Sequence, residues 1–389
     1  MQTQRIKSIR RIGEMNTLDF RVKSKFHNFY AGGIVVSNSH AIAYSHLTAI
    51  TTYLKTKYPL EFFLSLLKMA RHEPNSLEEI GIIQKELKYF NIELLSPSIR
   101  DSEGDFKIEN NNIRFGLSAI KGIADAAQKK LITFERNSAT KFELFNNCLE
   151  SKLGLQAVYS LILSGCFPDY NESREKLLLQ FQTYNLLTER ERILVNRFAE
   201  TIGNDLFTII KYLSSALDEK GKVFIKDTRL NTIRKNYQNY KKIYDFNREN
   251  GEILGFLQEK EVLGFSYSSS LPKIYNKTYP EVVTLKEAAT DLKGSKHTII
   301  GIVKSVKMGK SRVKGTPYIS LEIEDGESEV RVMAFSDRIK YFEDENGKSI
   351  ESDVIVVVKG TTMDENVLFA DYAKPLWDVR LAKKINDLK

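Results

Sequence analysis

Asn38 and Ser39 stand side by side at the end of a basic, strand-like segment, and between them they carry two reactive groups. An asparagine side-chain amide can attack its own backbone carbonyl, closing a succinimide and cutting the chain behind it. A serine hydroxyl that follows can act as a nucleophile, accept an acyl group and later pass it to its own amine. His27 lies upstream and offers an imidazole that can move a proton or hold an oxyanion near neutral pH. Such chemistry needs a pinned junction. Leu18, Phe20 and Val22 alternate as in a half-buried strand, and His27-Asn28-Phe29, the Gly32-Gly33 turn and Ile34-Val35-Val36 read as a strand returning to the junction. Beyond Ser39 the pattern switches to an apolar helix, Ala41-Ile42-Ala43-Tyr44. Asn38-Ser39 therefore reads as a scissile junction between two unrelated pieces of protein.

Residues 1–38 resemble the C-terminal fragment of a split intein. The resemblance rests on residues 16–22 and on residues 27–38, which look like the two closing motifs of that family. Ser37 departs from it, since inteins often carry His before the terminal Asn, and Phe26 stands where an acidic residue is common. The resemblance implies that Ser39 attacks an ester or thioester on a partner chain, that Asn38 then cyclises, and that His27 assists. It also implies the partner, a polymerase fragment carrying an N-intein.

The chain has 389 residues, enough for two to four domains, and is 42% hydrophobic and 28% charged, as expected of globular protein. It contains no run of 18 apolar residues and no signal-peptide core, so the expected setting is cytoplasmic with no membrane partner. Two cysteines, Cys148 and Cys166, predict a reducing compartment and no disulfide framework, and His and Cys spacing offers no zinc site. The formal charge is +8, but residues 1–38 hold seven basic residues against Glu14 and Asp19, a balance of +5. Much of the excess thus steers the N-terminal segment toward an acidic partner.

From Ser39 onward the apolar steps Ala43, Leu47, Ile50 and Leu54 predict one face of a helix, and Ser76-Leu77-Glu78-Glu79 predicts a capping box opening another. A second resemblance now covers nearly everything after residue 38. Ser39-His40-Ala41-Ile42-Ala43-Tyr44, Tyr58-Pro59, Leu94-Leu95-Ser96-Pro97, Arg114-Phe115-Gly116-Leu117, Leu161-Ile162-Leu163-Ser164-Gly165 and Val262-Leu263-Gly264-Phe265 follow in the order seen in the alpha subunit of bacterial DNA polymerase III. The resemblance implies that Ser39 and His40 sit in the fingers near an incoming nucleotide. It also implies that the residues normally preceding Ser39 are encoded on another chain.

Residues 116–131 have the pattern of a helix-hairpin-helix, with Leu117 and Ile120 in its first helix, Gly122-Ile123-Ala124 in its hairpin and Lys121 as the phosphate contact. Ala124 departs from the glycine that the family prefers. Residues 155–167 resemble the second hairpin of the pair. In the interval 168–262, residues 178–198 and 207–217 read as helices. Tyr237, Tyr240 and Tyr244 recur at helical spacing with Lys241 and Lys242, as a stacking surface or as a solvated face. Asp205-Leu206-Phe207 resembles the end of a sliding-clamp-binding peptide, although position 203 is Gly where Gln is usual.

Strands at 298–303, 318–324, 329–335, 354–360 and 367–373, with a helix at 336–342, have the signature of a five-stranded OB-fold. Lys304, Lys307, Lys310, Arg312 and Lys314 line its first strand and loop, and Tyr318, Phe335 and Arg331 offer stacking surfaces for a single strand. Polymerisation needs carboxylates that hold two metals, and no Asp-x-Asp pair occurs in the sequence.

The expected fold is therefore multidomain α+β: a short β-rich intein fragment (1–38), mainly helical fingers (39–110), a tandem helix-hairpin-helix region (111–170), a helical connector (171–295), an OB barrel (296–375) and a tail (376–389). The expected function is the C-terminal part of a replicative polymerase, joined by trans-splicing to a palm-bearing fragment. This fragment would bind no cofactor, Mg2+ belonging to the partner's palm. Its partners would be primer-template and single-stranded DNA, the sliding clamp and other replisome subunits. The rival reading is a non-enzymatic DNA-binding protein that uses the hairpin and OB modules without splicing, and a third is association of the two fragments without splicing.

Overall fold

The computed structural model describes residues 28–31, 34–37, 41–167, 170, 172–311, 315–326, 328–343, 349–364 and 366–386. His27, Asn38, Ser39 and His40 lie outside them, as do Arg312 and Lys314. The chain divides into two units, Met1–Phe62 and Phe63–Lys389.

In the first unit, β1 (Asn28–Ala31) and β2 (Ile34–Ser37) pair antiparallel, with Asn28 opposite Ser37 and Ala31 opposite Ile34. Helix α1 (Ala41–Lys57) follows. Its expected apolar face is present, yet Leu47, Ile50 and Leu54 are all exposed. Thr48, Thr51 and Thr56 bond back to carbonyls four residues earlier, a substitute for water that β-branched hydroxyl residues use in exposed helices. Pro59 opens α2 (Pro59–Ala70), where its missing N–H costs nothing.

In the second unit, α3 (Ser76–Leu87) starts one residue earlier than the capping box required. Asn75 is the cap, its carbonyl accepts from the Glu79 amide at 3.1 Å, and no side chain caps the end. Ile80, Ile83 and Leu87 are buried as expected, and Phe90 is half-buried edge-on to Phe63. A small sheet that the sequence reading did not foresee comes next. In it β3 (Leu94–Leu95) runs parallel to β5 (Asn112–Arg114), and β4 (Lys107–Glu109) pairs antiparallel with β5.

Helices α4 (Asp125–Thr133), α5 (Lys141–Glu150) and α6 (Leu155–Leu163) lead into α7 (Arg174–Asn185) and α8 (Glu189–Ile202). The single helix expected at 178–198 is thus two, because Thr188 and Glu191 form a capping box that restarts the chain. Next come α9 (Leu206–Leu213), α10 (Asp227–Glu249), α11 (Gly251–Leu263) and α12 (Leu271–Tyr275). Phe142, Phe145, Phe181 and Tyr184 pack ring against ring in the helical core, with Phe145 edge-on to Phe181 at 5.2 Å.

Two carboxylates, Glu259 fully buried and Glu172 partly so, tie the helices together. Glu172 takes Lys141, itself fully buried, at 2.5 Å, and accepts from Gln180 at 2.7 Å. Burial pushes the Lys141 ammonium below its ordinary pKa, against the pull of Glu172. Glu259 of α11 accepts from the Tyr267 and Ser268 amides and faces Arg174 at 2.5 Å as an ion pair rather than a well-aligned hydrogen bond. Arg174 also donates to the Leu163 carbonyl, so the end of α6 is locked to the loop after α11.

The C-terminal sheet consists of β6 (Val282–Val283), β7 (Lys296–Lys310), β8 (Pro317–Glu324), β9 (Glu329–Phe335), β10 (Val354–Asp364) and β11 (Val367–Asp378), with α13 (Leu285–Thr290) between β6 and β7. Strand β7 pairs with β8, β8 with β9, β9 with β11 in parallel, β11 with β10, and β10 returns to β7. The sheet is OB-like in this order, but it carries six strands rather than five, because β6 adds in parallel to the edge of β7. A register shift between Val303 and Ser305 lets β7 leave β10 and continue along β8. The helix expected at 336–342 is a 3-10 turn, Ser336–Phe342, with Phe342 buried. Helix α14 (Val379–Asn386) ends the described chain.

Strands β7 and β10 are buried on both faces, which is why 298–303 and 354–358 read as unbroken apolar runs. One face lines the interior with Ile299, Val303, Val356 and Val358. The other, Ile300, Ile302, Ile355 and Val357, packs with Phe256 of α11 and Leu271 of α12. The helices thereby cover one side of the sheet.

Candidate nucleic-acid interface

On β9 burial alternates strictly, and on β8 it alternates except at Ser320, which is buried between Ile319 and Leu321. Ile319, Leu321, Val330, Val332 and Ala334 turn inward, while Tyr318, Glu322, Arg331, Met333 and Phe335 turn outward. Register brings the aromatic residues together. Tyr318 faces Phe335 across the β8–β9 pair with ring centres 6.1 Å apart, and Phe335 meets Phe369 of β11 edge-on at 5.3 Å. All three rings are half-buried. Gly309 lies opposite Tyr318, and a Cβ there would sit 3.0 Å from the tyrosine ring, so glycine is what lets the ring lie across β7. An aromatic row of this kind offers faces on which bases can stack.

Below the rings lies a band of charge. Lys304 is held at 2.7 Å by Glu329 and at 3.9 Å by Glu324, and the Glu329 bond raises its pKa. Lys260 of α11 also pairs with Glu324. Lys304, expected to contact DNA, is thus neutralised from two sides. Lys307 and Arg331 flank Glu322 at 3.7 and 3.8 Å, and Ser305 donates to the same carboxylate at 2.8 Å. The Ser305 hydroxyl, then Lys307, holds Glu322 below the ordinary carboxylate range. Lys310 is exposed at the upper end of β7, beside the aromatic row.

The first hairpin differs from expectation. In place of a first helix there is only a 3-10 turn, Leu117–Ala119, because Gly116 and Ile120 on either side are extended. Gly122 adopts φ +92°, and a Cβ there would meet Ser160 Oγ of α6 at 2.5 Å, so glycine is required both for the turn and for its close approach. The Lys121 amide is taken by the Val262 carbonyl at 3.0 Å and the Ile123 amide by Ile120 at 3.2 Å, which removes both from phosphate binding. Ile123 is buried, and the Lys121 ammonium lies 3.6 Å from Glu261. Ala124 is exposed and caps α4 with no side-chain bond.

Two full helices around a hairpin occur instead at α5 and α6, joined by residues 151–154 with Lys152 at φ 56° and Leu153 buried. The Thr140-x-x-Glu143 capping box that opens α5 was the overlooked signal.

Asp205-Leu206-Phe207 is not an accessible peptide. Asp205 caps α9 through the Thr208 amide and pairs with Lys176 at 3.0 Å; Leu206 is fully buried, and Phe207 packs on Tyr237. Docking a clamp there would require unfolding the start of α9. Tyr237, Tyr240 and Tyr244 are half-buried along α10, and Lys241 pairs with Asp245 at 2.7 Å. Cys148 and Cys166 are buried free thiols, burial pushing Cys148 up to about 12.

Comparison with known proteins adds the following. Residues 91–177 match a family model described as a helix-hairpin-helix motif. DNA polymerase III subunit alpha of Borreliella burgdorferi is 27% identical over 365 residues, covering 92% of this chain and 29% of that protein. The subunit of the same name from Chlamydia pneumoniae is 32% identical over 158 residues, covering 40% of this chain and 12% of that protein. This chain therefore spans less than a third of the length of either relative. Among solved structures, the mitochondrial single-stranded DNA binding protein Rim1 of S. cerevisiae is similar at a TM-score of 0.20 and 15% identity, covering 22% of this chain and 99% of that one.

Proposed function

We propose that residues 39–389 form the DNA-holding part of a replicative polymerase of the DNA polymerase III alpha type, and that a separate palm-bearing chain supplies the catalytic metal carboxylates. The observation that carries this is similarity to subunits of that name along 92% of the chain. The matched helix-hairpin-helix region and the OB-like strand order agree with it. In this reading the five-strand ring is an OB barrel whose Tyr318, Phe335 and Phe369 rings stack bases of a single strand. Lys307, Lys310 and Arg331, with Arg312 and Lys314 that follow in the sequence, attract its phosphates. Mg2+ would be held by the partner's palm, where it would align the phosphoryl group for transfer.

Residues 1–38 act in this scheme as the C-terminal half of a split intein. Ser39 Oγ attacks the partner's ester or thioester, and the branched chain forms as the partner's own linkage breaks. Cyclisation of Asn38 releases the intein, and the acyl group then moves from oxygen to nitrogen, leaving a peptide bond before Ser39. The test mixes the full chain with a polymerase fragment that ends in Phe-Asn-Lys, the residues that precede the Ser-His pair in the resembled family, followed by an N-intein, and is read by denaturing gel and mass spectrometry. Asn38→Ala should accumulate the branched species, and Ser39→Ala should allow cleavage without ligation. Ligated product from Asn38→Ala would refute the splicing scheme.

A further inference from the structure

The charge band on the outer face contains an acid that works against the proposed ligand. Glu322 sits centrally on β8, opposite Arg331 on β9 and opposite Ser305 on β7. Its carboxylate lies between Lys307 and Arg331, at 3.7 and 3.8 Å, with Ser305 fixing one oxygen at 2.8 Å. The two cations are mostly exposed, 71% and 55%, so solvent ions and an incoming polyanion reach them freely. An oxyanion flanked by an ammonium and a guanidinium and anchored by a hydroxyl has the same partners that a backbone phosphate would seek.

We propose that Glu322 is a built-in competitor for phosphate on this face, occupying the slot between Lys307 and Arg331 so that a single strand must displace it to bind. The inference rests on the single-strand reading of the face given above. It assigns a division of labour across one surface. The aromatic row gives a grip largely insensitive to salt, while Glu322 holds the electrostatic grip weak. A template strand could then be held and still slide past, which tight pairing to two open cations would oppose.

The experiment is a fluorescence-anisotropy titration of a fluorescein-labelled oligothymidylate with the full chain, comparing wild type, Glu322→Gln, Phe335→Ala and, as a charge control distant in sequence, Glu189→Gln on α8. Glutamine keeps the shape of Glu322 and removes its charge. Glu322→Gln should tighten binding about three- to tenfold at low salt, the range expected from releasing two exposed pairs. Its plot of log affinity against log salt should steepen by about 0.7 to 1.4, one or two more phosphates neutralised. Glu189→Gln should bind as wild type. If Glu322→Gln binds no better than Glu189→Gln while Phe335→Ala still weakens binding, the competitor is refuted and the single-strand reading stands. If none of the four binds, both fall.

Discussion

At the scale of single residues, the outer face depends on contacts between strands that are far apart in sequence. Phe369 reaches Phe335 only because β11 runs parallel beside β9, with Phe369 opposite Met333. The sequence reading offers Tyr318, Phe335 and Arg331 as stacking surfaces of the expected OB-fold, and register places the two rings together. It missed Phe369, since a parallel pairing has no local signature. It also credited Lys304, whose two carboxylate partners lie on other strands. Phe335→Ala should weaken oligonucleotide binding by about 1–3 kcal/mol, the usual contribution of one stacked base, in the titration described above. Gly309→Ala places a methyl 3.0 Å from the Tyr318 ring and must tilt it away. Its effect should be a smaller loss in the same direction, with little change in thermal stability, because the ring is only half-buried.

At the scale of elements, the boundaries that were legible are those with chemical punctuation. Pro59 opening α2 and the apolar runs of β7 and β10 were read correctly from residue type alone. The break between α7 and α8 was equally written in Thr188 and Glu191, but an uninterrupted helical periodicity masked it. The shortened first hairpin could not be read locally, since the Lys121 amide of its turn is satisfied by Val262 of α11, over a hundred residues away. Glu191 also receives Arg229, at 2.8 Å, which joins α8 to α10. Burial tends to raise the Glu191 pKa, but Arg229 and the Thr188 bonds win and hold it below the ordinary value. A carboxylate with a depressed folded pKa contributes stability above its unfolded pKa and loses it as pH falls through the folded one. Wild-type stability should therefore decline on acidification below the ordinary glutamate range. Arg229→Met should flatten part of that decline and cost about 1–2 kcal/mol at neutral pH, because it leaves Glu191 with unmet hydrogen bonds. Urea melts of both proteins across this range would show it.

At the scale of the whole molecule, the order of motifs was more legible than any one of them. Short blocks spread from residue 39 to 265 pointed to one family, and the relatives that match 92% and 40% of this chain bear that name. The strands at 94–95, 107–109 and 112–114 are too short to show periodicity, although two of them overlap family blocks, and they emerged only with the structure. The charge distribution makes a separate prediction. With +5 on residues 1–38, association with an acidic N-intein should be fast and should slow as salt rises, which stopped-flow mixing over a salt series would measure. A rate indifferent to salt would assign those basic residues another role. The central claim is that this chain holds DNA and leaves nucleotide addition to a partner. One primer-extension reaction tests it most directly, with labelled primer-template, Mg2+, all four nucleotides and the purified full chain alone, each sample divided between a binding gel and a sequencing gel. The account predicts a shifted complex that weakens as salt rises, and a primer that stays at its starting length. Extension of the primer by this chain alone, or absence of any complex at low salt, would contradict it.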